Sequence, residues 1–240
     1  MTRLTTYLHA VPARWLRAVS VATVTVLCAF GAVAEVHYKP HITVGGHAGM
    51  TMSRMSFAPS VGQNWLNGCT FGAHVSYTEE KIFGLVGELN VTQRGWKESF
   101  TDRDDLQFQR TLTYISLPVM THIYFGPRRF KFFINLGPEF SVMIGDKRKS
   151  NFDYANPGAA GIPAGRHCEQ MTMEIKNNFD YGITAGIGGQ YWVSPRNAVH
   201  FEVRFYYGLG SIYGSSKSDV FSASRAMNLA ATLGYSFRVK

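Results

Sequence analysis

Residues 110–144, RTLTYISLPVMTHIYFGPRRFKFFINLGPEFSVMI, constrain the fold more than any other stretch. They read as two long strands joined by a tight turn at 126–129. In the first arm Ile115, Leu117, Val119, Ile123 and Phe125 share one parity, and Ser116, Pro118 and His122 take the other. In the second, Phe132, Ile134, Leu136, Phe140 and Val142 alternate with Phe133, Asn135, Gly137, Glu139 and Ser141. Such alternation means a sheet with one apolar and one polar face. Ordinary strands run about 5–6 residues, so arms this long need a reason, and crossing a membrane supplies one.

The same rhythm recurs along the chain. Strands are expected at 41–50, 69–77, 83–96, 110–125, 130–144, 178–193, 200–213 and 225–239. The connections after the first, third, fifth and seventh are long, and those after the second, fourth and sixth are short. An even strand count with short periplasmic turns and long external loops is the pattern of an outer-membrane barrel. The fold expected is therefore all-β: an eight-stranded antiparallel up-and-down transmembrane barrel over residues 35–240. Trp65 and Trp96 at outer strand ends, with Tyr124, Tyr191 and Trp192 at inner ends, fit two interfacial aromatic girdles.

Residues 1–34 read as a secretory signal peptide. Arg3, Arg14 and Arg17 form a basic front, residues 18–31 are apolar, and Ala32-Val33-Ala34 is an A-x-A cleavage site. The apolar run is short of the ~20 residues a spanning helix wants. Leu27, before Cys28, is not the small residue of a lipoprotein site. Export places the N-terminus in the periplasm, so the first connection should be external, and it is long.

A soluble eight-stranded barrel would also alternate, and the polar face distinguishes the two. A sheet surface in water carries Lys and Glu. Here that face is Gly, Thr, Ser and Asn with a few charges of both signs: Glu88, Arg94, Glu139, Asp180, Glu202 and Arg204. Small residues suit the cramped lumen of eight strands, and opposite charges pair there. The formal net charge of +8, with 17% of residues charged, does not point to nucleic acid. Arg128, Arg129, Lys147, Arg148 and Lys149 are expected in turns and loops, with no basic helix.

Five short motifs then carry a family likeness: ELNVTQRG at 88–95, YISLP at 114–118, LGP at 136–138, EVRFYYGL at 202–209 and GYSF at 234–237. Together they resemble the PorT-like outer-membrane β-barrel proteins common in Bacteroidetes, across the whole mature chain. The resemblance implies an eight-stranded barrel in the outer membrane, most members having no assigned activity and one group serving type IX secretion and gliding. Thr232, Gly234, Phe237 and Val239 resemble the insertion signal read by barrel-assembly machinery.

Chemistry is sought on the polar face. His47 and His74 fall there on neighbouring strands, with Ser76, Glu88 and Glu139. A Ser–His–acid relay needs the base within hydrogen-bond reach of the nucleophile, which parity alone does not establish. Lumen residues satisfied by one another is the expectation, with no catalytic residue, metal or cofactor. Asp102, Asp104 and Asp105 lack the spacing of a calcium loop and read as a solvated tip. The glycines of 182–189 lie within a strand, where they ease crowding. Cys69 at an external strand end and Cys168 in the longest loop could bridge in an oxidising compartment, two free thiols being the alternative. The function expected is a non-enzymatic barrel with a plugged lumen, serving envelope structure or surface interaction through its loops. A secretion component and a lipid-modifying enzyme are the alternatives. Its partners would be outer-membrane lipid, the assembly machinery, and secretion or surface proteins.

Overall fold

The computed structural model describes residues 40–78, 82–100, 103, 105–163, 166–214 and 220–239. The expected leader, with its cleavage site, lies outside the described residues. Eight long strands follow: β1 (His41–Ala58), β2 (Leu66–Thr78), β3 (Phe83–Glu98), β4 (Phe108–Phe125), β5 (Phe130–Ser150), β6 (Phe179–Trp192), β7 (Asn197–Gly208) and β8 (Ala223–Arg238). A two-residue segment, Gln63–Asn64, adds a short pairing to the loop end of β3. Each strand pairs antiparallel with its sequence neighbours, and β1 pairs with β8, so the sheet closes on itself. Closure gives each long strand a neighbour on both sides through the body of the barrel, the condition for a sheet inside lipid.

Alternation fixes which face is which. Ile115, Leu117, Val119, Ile123 and Phe125 of β4 all point outward, whereas Ser116, Pro118 and Met120 point into the lumen. The apolar face is thus the outside, as lipid requires. Tyr77, Phe83, Phe125, Phe132, Tyr191, Phe201, Tyr235 and Phe237 are exposed near the turn end and form its aromatic girdle. Three expected girdle residues prove otherwise. Trp96 and Tyr124 share parity with the lumen residues Arg94 and His122, and both are buried inside. Trp192 takes the inward parity as well, half-buried against Arg238.

Several strands outrun the expected boundaries. β1 continues through Ala58, and β5 through Asp146, Lys147, Arg148 and Lys149 to Ser150. Lys147, Arg148 and Lys149 therefore sit on a strand, where a loop was expected. At about 3.3 Å per residue and a tilt of about 40°, the 21 residues of β5 rise roughly 50 Å, about twice the ~25 Å apolar band of such barrels. The β4–β5 hairpin consequently stands well clear of the membrane on the external side.

The candidate site in the barrel lumen

Inside the barrel, small residues on one strand accommodate large ones on the next. A Cβ built on Gly186 of β6 would fall 2.1 Å from Oε1 of Glu202 on β7, and one on Gly234 of β8 would fall 2.3 Å from Nε2 of His200. A Cβ on Gly45 of β1 would meet the Tyr235 carbonyl and the His74 ring, and one on Gly72 the Asn90 side chain. The glycines seen in the sequence are thus the seats of particular lumen side chains.

The six charges expected in the lumen are all there, in two groups. In the lower group Arg204 donates to Glu88 (Nη1–Oε2 2.6 Å, Nη2–Oε1 2.8 Å) and to Glu202 (Nε–Oε1 3.1 Å, Nη2–Oε2 2.7 Å). Asn90 donates to Glu88 at 2.8 Å, and Asn135 donates to Glu202 at 3.0 Å. In the upper group Arg94 pairs with Glu139 and stands 3.6 Å from Asp180. Its guanidinium lies 3.9 Å over the Tyr206 ring, and the Tyr206 hydroxyl donates to Asp180 at 2.8 Å. Charges of both signs, desolvated together, hold each other in place.

Toward the turn end three imidazoles meet. His47, His74 and His200 each present one ring nitrogen, all within 4.8 Å of one another. The Ser236 hydroxyl lies between His74 Nε2 at 3.0 Å and His200 Nδ1 at 3.2 Å. His47 Nε2 stands 3.8 Å from Glu88 Oε2. Sequence reasoning found His47 and His74 but not His200, although His200 shares the parity of Glu202. Ser236 was also missed, and it replaces Ser76 as the hydroxyl beside a histidine. It bridges two rings, an arrangement different from a serine whose histidine is backed by a carboxylate.

The space between the two charge groups is small. Its cavity, lined by residues including His47, Asn90, Arg94, Glu139, Arg204 and Tyr206, has room for about one water.

The loop end is closed by a second device. Arg110 is fully buried and spends its donors on Asp146 (2.9 and 2.6 Å), the carbonyl of Met173 (2.8 Å), that of Gln170 (3.2 Å) and the Tyr213 hydroxyl (2.8 Å). Burial pushes the Tyr213 phenol up to about 12. Phe57, Trp96 and Phe221 pack in one cluster with Tyr213. The connection between β5 and β6 is tied down further by Arg166, which donates to Ser99 O at 2.7 Å and pairs with Glu98 at 3.2 Å. In the preceding loop Asp105 pairs with Arg103 at 2.9 Å; Asp102 and Asp104 lie outside the described residues.

The cysteines stay apart, which corrects the bridge that their external positions suggested. Both are free. Cys69 takes the outward parity of β2 and its Sγ lies 3.4 Å from Gln93 Oε1, whereas Cys168 packs beside Phe100, Phe108 and Met171 in the loop. Of the insertion-signal residues, Thr232 is buried in the lumen wall and Phe237 and Val239 are exposed. Gly234 pairs with both His47 and His200.

The family described as outer membrane protein beta-barrel domain matches residues 40–214. Among solved structures the chain is similar to OprG of Pseudomonas aeruginosa, with 10% identity, 83% of this chain and 95% of that chain covered, and a TM-score of 0.50. It is also similar to the Neisserial surface protein NspA (14% identity, 83% and 99% covered, TM-score 0.42). The attachment invasion locus protein Ail of Yersinia pestis gives 13% identity, 82% and 99% covered, and a TM-score of 0.40. The likeness to OprG is one of fold. No curated protein matches the sequence.

Proposed function

This chain belongs to the outer membrane protein beta-barrel domain family, and from that premise we propose that it is a non-enzymatic barrel with a plugged lumen, working through its external loops. It resides in the outer membrane. The observation that carries the proposal is the double closure of the interior. Paired charges fill the lumen, the space between the two groups having room for about one water, and the Arg110 cluster folds the β5–β6 connection over the loop end. What remains to offer a partner is the loop surface raised above the membrane on the long β4–β5 hairpin.

The lumen chemistry favours this over a lipid-modifying enzyme, since the hydroxyl nearest a histidine is shared between two rings. Three of the five motifs of the PorT-like resemblance supply lumen residues (Glu88 and Arg94; Tyr114 and Ser116; Glu202, Arg204 and Tyr206). They support kinship by construction, and a place in type IX secretion remains the alternative. Insertion through Thr232, Gly234, Phe237 and Val239 by the assembly machinery completes the reading.

The test has two arms. Planar-bilayer recordings of the purified barrel should give no large, stable open conductance; such a conductance overturns the plugged lumen. A deletion strain complemented with a chain whose 151–178 connection is replaced by a short linker should keep its envelope defect, while Gly87→Ala, a barrel-wall change with nothing within 4 Å of the new Cβ, should restore function. The reverse outcome, or altered lipid A mass spectra in the deletion strain, removes the loop-based reading.

A further inference from the structure

We propose that the three histidines at the turn end of the lumen, His47, His74 and His200, form a binding site for a divalent transition-metal ion of the zinc type. The ion would clamp the seam where the first and last strands close the barrel.

Geometry comes first. The three rings come from β1, β2 and β7, and β8 lies between β1 and β7, so the cluster spans the four neighbouring strands around the β1–β8 closure. One nitrogen from each ring lies within 4.8 Å of the other two. Ligand atoms held tetrahedrally at about 2.0–2.1 Å from zinc stand roughly 3.4 Å apart, so modest turns of the side chains complete the triangle. The ring centroids of His74 and His200 are already 5.2 Å apart and those of His47 and His74 6.1 Å. Gly45 and Gly234 lie under the His74 and His200 rings, where a methyl would strike them, so the wall is hollowed to seat these imidazoles.

Charge supplies an independent argument. Around the lower charge group the described residues set two carboxylates, Glu88 and Glu202, on one guanidinium, Arg204. A cation at the neighbouring histidines lies on the side of that unbalanced carboxylate charge. Glu88 stands nearest, 3.8 Å from His47 Nε2, a carboxylate beside a ligating ring as in known metal sites. Ser236 holds the other two rings through its hydroxyl. Three imidazoles favour zinc, copper or nickel over magnesium or calcium, which take oxygen ligands.

The experiment uses the refolded mature barrel in detergent, stripped with a chelator. Titration with Zn²⁺ by calorimetry should give one ion per chain, and Co²⁺ should give the visible absorption of a nitrogen-ligated site. His74→Gln and His200→Gln should each weaken Zn²⁺ binding at least tenfold and abolish the Co²⁺ bands. His167→Gln, in the exposed loop, should change neither. Zn²⁺ should also raise the temperature at which the unboiled barrel loses its fast gel mobility, in the native chain but not in the two variants. Absence of stoichiometric binding overturns the proposal, as does binding that survives both lumen substitutions or depends on His167. Should a lumen variant not fold, His47→Gln takes its place under the same criteria.

Discussion

Arg204 and Glu88, 116 residues apart in the chain, meet in the lumen as a two-pronged ion pair, Nη1 2.6 Å from Oε2 and Nη2 2.8 Å from Oε1. The same guanidinium holds Glu202. Removing it strands two buried carboxylates, a loss that costs about 3–5 kcal/mol. Arg204→Met should therefore lower the urea midpoint of the barrel in lipid vesicles by a corresponding amount. Adding Glu88→Gln and Glu202→Gln should recover most of it, because the penalty comes from the orphaned charges. A triple variant no more stable than the single one refutes the assignment.

A methyl at Gly186 has nowhere to go, since its Cβ would overlap the Glu202 carboxylate that Arg204 and Asn135 hold in place. Gly186→Ala should reduce refolding yield, read as the fraction of fast-migrating species on unboiled gels. Gly87→Ala, with nothing within 4 Å of the new Cβ, should refold as the native chain does.

The inside-outside division was legible in the sequence because lipid and lumen demand opposite residues on a strict period of two. Glu88, Arg94, Glu139, Asp180, Glu202 and Arg204 could all be placed by parity alone. Their pairing could not, since it depends on how far each strand slides past the next around the closed sheet. Trp96, Tyr124 and Trp192 stand at strand ends, where an aromatic suggests a girdle, but their parity turns them inward. The extra lengths of β1 and β5 were hidden for a different reason. Beyond the apolar band a strand answers only to its hydrogen bonds, and Asp146 to Ser150 carry no hydropathy signal.

Arg110 closes the loop end from within, so its loss should loosen the loop while sparing the barrel. Arg110→Ala removes donors from Asp146, Met173 O, Gln170 O and the Tyr213 hydroxyl. Limited proteolysis of vesicle-embedded protein should then cut the 151–178 connection at least several-fold faster, with the heat-modifiable barrel intact. Equal cutting rates would mean that the connection is held by other contacts.

The thiols differ in surroundings, and alkylation should report it. Both should react without prior reduction, since neither is bridged. Burial holds the Cys168 thiol above its ordinary range. The thiolate is the reacting species, so at neutral pH Cys168 should alkylate more slowly than a free model thiol and accelerate as pH rises toward its shifted value. Protection of both thiols until reductant is added would restore the disulfide.

The seating of large lumen side chains over glycines sets terms for how such a chain can change over time. A glycine such as Gly234 can gain a side chain only if the ring of His200 shrinks first, so substitutions inside the barrel must arrive as matched pairs across neighbouring strands. The outer face answers only to a fluid solvent and accepts one apolar residue for another singly. Two descendants of one ancestor would accordingly part quickly on the lipid side and in step on the inner side. Kinship within this architecture is better sought in correlated interior pairs than in identity summed along the chain.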